Sequence, residues 1–162
     1  MIRVDQAGEY GAVRIYEGQL AVLRGTPAGD KIEEMLAQEH EHLAAFNKMI
    51  VERRVRPTAL QPLWHLAGFA LGAATAALGP RAAMACTVAV EEVIGKHYGE
   101  QADRLGEDEA PLREQIESFR DDELDHLETA VEHGAYETPG YELLAGAVKA
   151  GSRMAIWLSS RL

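Results

Sequence analysis

The tetrapeptide Glu39-His40-Glu41-His42 has a counterpart 84 residues further along the chain, Glu123-Leu124-Asp125-His126. In both segments a histidine follows a glutamate by three positions. Residues three apart on an α-helix lie on one face, so each segment would present a carboxylate and an imidazole together. A single pair has a simple alternative explanation, a solvated glutamate near an unrelated histidine. The repetition of the pair is therefore the informative feature.

Other positions repeat with nearly the same offset. Glu9 precedes Glu39 by 30 residues, and Glu91 precedes Glu123 by 32. Glu9 and Glu91 are 82 residues apart, close to the 84 that separate the two tetrapeptides. The pattern predicts two related helix pairs, approximately residues 2–54 and 81–134, in a four-helix bundle with a pseudo-twofold axis. A tyrosine and a glutamine also recur seven and ten positions after the first glutamate of each half: Tyr16, Tyr98, Gln19 and Gln101.

The composition predicts an all-α chain with one domain, residues 1–162. Alanine, leucine, glutamate and arginine are plentiful, and no stretch shows the sustained period-two alternation of a half-buried strand. Glycine and proline divide the chain into six helical stretches, two more than the bundle needs. We predict helices at approximately 2–24, 28–54, 62–78, 81–105 and 111–133, and a last helix that starts at Thr138-Pro139 and continues to the C-terminus.

The net charge of −10 and the single cysteine restrict partners and compartment. An acidic protein repels phosphate backbones, so nucleic acid is not expected as a partner. Cys86 alone can form neither an internal disulfide nor a two-cysteine metal site, which favours a reducing compartment. We expect Cys86 to be a small buried residue. The first residues do not resemble a signal peptide.

Four glutamates and two histidines would face the centre of the predicted bundle. Carboxylates and imidazoles are suitable ligands for iron, and carboxylates on facing helices are typical of di-metal sites. Four carboxylates buried without a cation would be strongly destabilising. The sequence therefore predicts a di-metal centre whose ligands are Glu9, Glu39, His42, Glu91, Glu123 and His126.

The segment between Arg56 and Arg81 carries no formally charged residue, and residues 63–78 are nearly all Leu, Ala, Gly, Phe and Trp. A membrane-spanning helix needs roughly 20 apolar residues, whereas this one is shorter and ends at Gly79-Pro80. A buried core helix is a second interpretation. We favour a third, a helix or hairpin in the membrane interface, with candidate membrane contacts at Leu63, Trp64, Phe69 and Leu71.

Longer stretches resemble the demethoxyubiquinone hydroxylases of ubiquinone biosynthesis. The resemblance covers nearly the whole chain and is carried by residues 3–12 (Arg-Val-Asp-Gln-Ala-Gly-Glu-Tyr-Gly-Ala), 14–16, 54–58, 68–72, 85–92, 119–124 and 155–159. It implies a ferritin-like four-helix bundle with two additional helices, one of them apolar and membrane-facing. It also implies a non-haem di-iron monooxygenase that hydroxylates a polyprenyl methoxy-benzoquinol, demethoxyubiquinol. Two iron ions, O2 as co-substrate and an external reductant such as NADH would be required.

Applied to this chain, the resemblance implies that Glu9, Glu39 and His42 hold one iron and that Glu91, Glu123 and His126 hold the other. Glu39 and Glu123 would be the bridging pair. The repeat aligns Glu91, rather than Glu92, with Glu9, and Glu92 points about 100° away on the helix. Gln6 stands where related proteins often have histidine, but this position is not among the ligands.

Several residues near the ligands are candidates for contacts with them. Asp5 lies one turn before Glu9, and Asp122 directly precedes Glu123. Metal-bound histidines usually donate their second ring N–H to such groups, although both aspartates could simply be solvated. Tyr16 and Tyr98 share faces with Glu9 and Glu91, with core packing as the alternative, and His97 resembles a residue near the site in the family. We assign no role to His40, His65 and His133.

A long apolar tail on the substrate requires access from a bilayer, so a membrane surface is an expected partner. The location would be the cytoplasmic face of a bacterial inner membrane or the matrix side of the mitochondrial inner membrane. The resemblance leaves open an accessory lipid-binding protein of the ubiquinone pathway and a homo-oligomer.

Two other functions were weighed against the hydroxylase. One is a ferritin-like protein for iron storage or peroxide scavenging, and the other is a non-enzymatic lipid-binding protein. A single cysteine excludes the cysteine-rich iron domain of a rubrerythrin, and a storage cage does not need the uncharged segment between Arg56 and Arg81. A lipid-binding protein has no reason to repeat the ligand pattern.

Overall fold

In the computed structural model, which describes residues 1–162, the chain forms six α-helices and two short 3-10 turns, with no β-strand. The predicted all-α fold, a bundle with two additional helices, is confirmed. The 3-10 turns are Glu107–Glu109 and Ala135–Glu137. The helices are α1 (Ile2–Leu23), α2 (Pro27–Glu52), α3 (Gln61–Ala77), α4 (Pro80–Ala102), α5 (Ala110–Glu132) and α6 (Tyr141–Ser159).

Local sequence explains where the helices begin. The hydroxyl oxygen of Thr26 accepts a hydrogen bond from the backbone N–H of Gly29 at 3.1 Å, and Pro27 occupies the first helical position of α2, as predicted. The predicted start of the last helix at Thr138-Pro139 is wrong. Gly140 has a φ of +72°, in the left-handed region, so the chain turns there and α6 begins one residue later.

Helices α1, α2, α4 and α5 form the bundle, with α1 packed against α2 and α4 packed against α5. Two apolar clusters fill the bundle at different levels along its axis. One includes Phe46, Tyr98 and Ile116, and the other includes Ile32 and Met84. The predicted ligands lie between these clusters in all four helices, so they are placed at the middle of the bundle.

Helices α3 and α6 cover one side of the bundle. Helix α3 packs on α1 and also contacts α4, whereas α6 packs on α4 and also contacts α1. The indole N–H of Trp64 donates to the Ser159 hydroxyl at 3.0 Å, which joins the two covering helices. This arrangement leaves a space between α1, α3, α4 and α6.

The uncharged segment packs on α1 through glycines. A Cβ added at Gly72 would overlap the carbonyl oxygen of Ile15, and one added at Gly18 would overlap that of Phe69. Two helix backbones approach so closely only where side chains are absent. No helix of the structure reaches the length and apolar character needed to cross a bilayer. The glycine and alanine content of α3 is therefore explained by close packing on α1.

Cys86 is fully buried in the core next to α3, as predicted. Burial disfavours the thiolate and raises the pKa of this thiol to about 12. The side chain therefore acts as a small apolar group.

Candidate metal centre

The four bundle helices bring the six predicted ligands together. Helices α1 and α4 contribute one glutamate each, and α2 and α5 contribute a glutamate and a histidine one turn apart. No side chain of the six is more than 2 % exposed. They form two groups whose ligand atoms lie within 4.8 Å of one another, and both groups contain Glu39 and Glu123. The first adds Glu9 and His42, and the second adds Glu91 and His126.

The two histidines direct the same ring atom toward the carboxylates. Nδ1 of His42 lies 3.4 Å from Glu123 Oε1 and 3.6 Å from Glu9 Oε2. Nδ1 of His126 lies 3.2 Å from Glu39 Oε1 and 3.3 Å from Glu123 Oε2. None of these contacts is aligned as a hydrogen bond. Each Nδ1 therefore faces a space bounded by carboxylate oxygens.

Eight buried atoms of this cluster have no hydrogen-bond partner. They are one oxygen each of Glu9 and Glu91, both oxygens of Glu39 and Glu123, and Nδ1 of His42 and His126. Buried polar atoms are nearly always satisfied, and a group of unsatisfied acceptors that converge on one space is strongly destabilising on its own. Divalent ions would satisfy all eight, and the oxygen and imidazole donors suit iron. The residues present thus fit a di-metal centre.

The pKa values of the cluster reflect the same electrostatic conflict. Burial, reinforced by the neighbouring carboxylates, raises the pKa values of Glu9 and Glu91 well above the ordinary value. Burial also opposes ionisation of Glu123, but the adjacent His126 and His42 outweigh it and lower the pKa of Glu123 to about 2. Burial disfavours charge on both histidines, yet the surrounding glutamates raise their pKa values to about 9. Without a cation, protons must balance the carboxylate charge.

The two repeated tyrosines connect the halves of the bundle. The Tyr16 hydroxyl donates to Glu91 Oε1 at 2.6 Å, and the Tyr98 hydroxyl donates to Glu9 Oε1. Each tyrosine therefore contacts the glutamate of the other half, not the one on its own helix with which sequence spacing associates it. Both side chains are only 1 % exposed. These hydrogen bonds fix one oxygen of each glutamate and leave the other directed at the cluster.

The outer ring nitrogens of the histidines also have partners. Nε2 of His42 lies 3.0 Å from Asp122 Oδ2, so the aspartate is placed where the sequence suggested. Nε2 of His126 lies 2.8 Å from Gln38 Oε1. Gln38 was missed in the sequence, although it lies 84 residues before Asp122 and so occupies the corresponding position in the repeat.

Asp5 and His97 form a polar contact beside the centre. Asp5 is buried, and its Oδ1 lies 3.1 Å from His97 Nε2 and accepts a hydrogen bond from Gln101. Neither Asp5 nor His97 belongs to the two ligand groups. Gln6 is also outside them, and its side-chain amide donates to Asn47 at 3.1 Å.

The remaining acidic and histidine candidates lie away from the cluster. Glu92 forms an ion pair with Lys149 at 2.5 Å between α4 and α6, as expected for a residue that points away from the ligands. His65 is hydrogen-bonded to Tyr10 at 2.6 Å, and His133 contacts the carbonyl oxygen of Thr129. His40 is exposed.

An apolar cavity of about 260 Å³ lies between α1, α3, α4 and α6. Gly8 and Val90, which line it, directly precede the ligand candidates Glu9 and Glu91, so the cavity is adjacent to the centre. Trp64 and Leu71 also line it, whereas Leu63 and Phe69 are exposed on α3. The contribution of α6 was not visible in the sequence: Gly151, Ser152, Met154, Ala155, Ile156 and Ser159.

Comparison with known proteins confirms the family resemblance. Residues 1–159 match the family described as "Ubiquinone biosynthesis protein COQ7". The chain is 57 % identical over 162 residues to a Rhodospirillum rubrum protein named 3-demethoxyubiquinol 3-hydroxylase, covering 99 % of this chain and 76 % of the relative. Relatives from Dictyostelium discoideum and Homo sapiens are 54 % and 52 % identical over 100 % of this chain and 76 % of their own length. Both are named "NADPH-dependent 3-demethoxyubiquinone 3-hydroxylase, mitochondrial".

Proposed function

The chain belongs to the COQ7 family of ubiquinone biosynthesis proteins, and we propose that it is a 3-demethoxyubiquinol 3-hydroxylase, an O2-dependent di-iron monooxygenase. The substrate would be a polyprenyl 3-methyl-6-methoxy-1,4-benzoquinol, whose ring gains one hydroxyl group. The observation that carries the proposal is a buried set of unsatisfied carboxylate and imidazole atoms next to an apolar cavity. The first can hold metal, and the second can hold the quinol.

We assign Glu9, Glu39 and His42 to one iron and Glu91, Glu123 and His126 to the other. Glu39 and Glu123 belong to both groups of ligand atoms, which supports their assignment as the bridging pair. When bound, the two irons supply the redox chemistry that activates O2. The hydroxyls of Tyr16 and Tyr98 hold the terminal glutamates in place.

The cavity suits a quinol with a long apolar tail. Its lining is predominantly apolar, so it excludes water, and its inner wall is next to Glu9 and Glu91. A ring placed against Gly8 and Val90 would lie beside the di-iron centre. The tail would extend between α3 and α6, since both helices line the cavity. Small residues such as Gly11 leave room for a flat ring.

We propose that the enzyme acts as a peripheral membrane protein, with α3 and α6 facing the lipid. Both helices that border the cavity also carry large exposed apolar side chains, including Leu66 at 70 % and Trp157 at 53 % exposure. The Arg161 guanidinium lies 4.0 Å from the Trp157 ring centroid, a pairing suited to the headgroup region. The other exposed apolar residues of these helices are Leu63, Phe69, Leu143 and Met154.

The location and the other partners follow from the same proposal. We propose the cytoplasmic face of a bacterial inner membrane, as for a protein similar to the Rhodospirillum rubrum relative. The alternative is the matrix side of the mitochondrial inner membrane, since the eukaryotic relatives are named mitochondrial. An external reductant, a reduced nicotinamide such as NADH, would supply electrons. An accessory lipid-binding protein and self-association are further candidate partners.

The test compares two adjacent glutamates of α4. Wild type, Glu91→Ala and Glu92→Ala would be reconstituted with iron without oxygen, then given O2, reductant and short-tailed demethoxyubiquinol in detergent. We expect wild type and Glu92→Ala to form the hydroxylated quinol, detected by mass spectrometry. Turnover of Glu91→Ala should fall by at least about 100-fold, because loss of a ligand costs no less than loss of a residue that supports one.

Iron content measured on the same samples separates the outcomes. Iron-loaded wild type that consumes O2 or peroxide without hydroxylating quinol would instead support storage or peroxide scavenging. Loss of activity in Glu92→Ala equal to that in Glu91→Ala would contradict the ligand assignment. Wild type that binds no iron under these conditions would overturn the proposed function.

A further inference from the structure

The two histidines of the centre have chemically different partners. Nε2 of His42 contacts the carboxylate of Asp122 at 3.0 Å, whereas Nε2 of His126 contacts the amide oxygen of Gln38 at 2.8 Å. Asp122 and Gln38 occupy corresponding positions, 84 residues apart, because each directly precedes the shared glutamate of its helix. The geometry of the contact is thus repeated, but the charge of the partner is not.

This difference would reach a bound ion through the imidazole ring. Since Nδ1 of each histidine faces the carboxylates, each ring would coordinate through Nδ1 and donate its proton outward from Nε2. A hydrogen bond to an ionised acceptor is roughly twice as strong as one to a neutral acceptor. The ring that donates to a carboxylate becomes the more electron-rich ligand, and such partners change metal affinity markedly.

A second carboxylate lies on the same side of the centre. Asp5 is buried one helical turn before Glu9, while the corresponding position before Glu91 is the neutral Thr87. Asp5 contributes to raising the pKa of Glu9, so its negative charge acts on that glutamate. Both differences between the halves therefore place additional negative charge beside the position of Glu9 and His42.

We propose that the two ion positions are inequivalent, and that the position at Glu9 and His42 binds Fe2+ more tightly and fills before the position at Glu91 and His126. Asp122 is then a positioning residue, which strengthens one ligand without contacting the ion. This inference rests on the proposed di-iron centre and goes beyond it, because family membership and ligand identity require only that two ions bind.

The test is an anaerobic titration of the metal-free full chain with Fe2+, followed by calorimetry. Two binding steps are expected, the first at least about 10-fold tighter than the second. A parallel sample with one equivalent of 57Fe should show one dominant Mössbauer quadrupole doublet, and a second doublet should grow with the second equivalent. These readouts report on the ion positions and do not depend on turnover.

Two single-atom exchanges of charge test the cause. Asp122→Asn keeps a carbonyl acceptor for His42 but removes the charge, and should weaken the first step by about 10- to 100-fold. Gln38→Glu gives His126 a carboxylate acceptor and should strengthen the second step. Circular dichroism checks that both variants are folded. If Asp122→Asn is not, the surface position of Gln38 provides an independent test.

The possible failures are distinguishable. Equal affinities and a single doublet at both loadings in wild type would overturn the inequivalence and leave the di-iron function intact. The same holds if Asp122→Asn weakens both steps equally, or if Gln38→Glu leaves the second step unchanged. Wild type that binds no Fe2+ would instead show that the proposed function itself has failed.

Discussion

The two halves of the bundle, α1–α2 and α4–α5, share their ligands but differ in what surrounds them. Each half supplies one glutamate from its first helix and a Glu-x-x-His pair from its second. The neighbours of these residues diverge, with Asp122 and Asp5 on one side and Gln38 and Thr87 on the other. Metal coordination tolerates few ligand types at few positions. The residues behind the ligands are less restricted, and there the halves can be tuned separately.

The helices that cover the two halves also differ. Helix α3 lies on α1 with backbone against backbone, through Gly18 and Gly72. Helix α6 lies on α4 through side chains, with Ala145 and Val148 in the core and an ion pair between Lys149 and Glu92. The cavity between these contacts is consequently bounded by a closely packed helix on one side and a side-chain interface on the other.

The largest expected effect comes from breaking what the halves share. Glu123→Ala removes a residue common to both ligand groups, whereas Glu9→Ala removes a residue of one group only. We expect Glu123→Ala to lose both of about two irons per chain and Glu9→Ala to retain about one. Elemental analysis of anaerobically loaded, gel-filtered protein measures this difference. Equal iron content in the two variants would contradict a bridged centre.

Packing of α3 on α1 can be tested with two glycine substitutions. Gly72→Ala places a Cβ against the carbonyl oxygen of Ile15 and should lower the free energy of unfolding by about 1–3 kcal/mol. Gly146→Ala on α6 meets no atom within 4 Å and should raise it by about 0.5–1 kcal/mol. Urea unfolding of the metal-free proteins gives both values. Effects of the same sign would show that the two covering helices do not pack differently.

The tyrosine contacts test whether the symmetric part of the centre is also energetically symmetric. Tyr16→Phe and Tyr98→Phe each remove a hydrogen bond to the terminal glutamate of the other half. Each should destabilise the protein by about 1–3 kcal/mol, since a buried carboxylate oxygen loses its donor. Thermal unfolding of both variants checks this. A loss confined to one of them would show that the repeat is not preserved at this level.

The smallest effect is expected at Cys86, which corresponds to Val4 in the first half by the 82-residue offset. With a pKa of about 12, roughly one thiol in ten thousand is ionised at pH 8. Because only the thiolate reacts, the folded protein should not react with a thiol-specific disulfide reagent at pH 8 but should react fully in urea. Ionisation increases with pH, so reactivity in the folded state should increase only toward pH 12. Rapid reaction at pH 8 would contradict this burial.

Much of the site could be predicted because helical periodicity and the repeat act on the same residues. Spacing alone placed Glu39 with His42, and the offset between halves identified Glu9 and Glu91 as their partners. The crossed contacts of Tyr16 and Tyr98 could not be predicted, because they depend on how α1 and α4 lie against each other. Periodicity assigns a side chain to a face of its own helix and does not specify the neighbour it meets.

The fold was predicted least well where turns and tertiary packing decide the outcome. Thr138-Pro139 has the sequence of a helix start, but the left-handed Gly140 delays α6. Trp64 and Leu71 looked equivalent to Leu63 and Phe69 in an uncharged run, yet contacts with α1 and α6 turn the first pair toward the cavity. Composition identifies an apolar helix but does not show which side is covered.

The most direct test of the di-iron centre is anomalous diffraction at the iron edge from crystals of the iron-loaded protein. We predict two peaks within the cluster, both next to Glu39 and Glu123, one adjacent to Nδ1 of His42 and the other adjacent to Nδ1 of His126. A single peak, peaks against the Nε2 atoms, or iron bound outside the bundle would contradict the account.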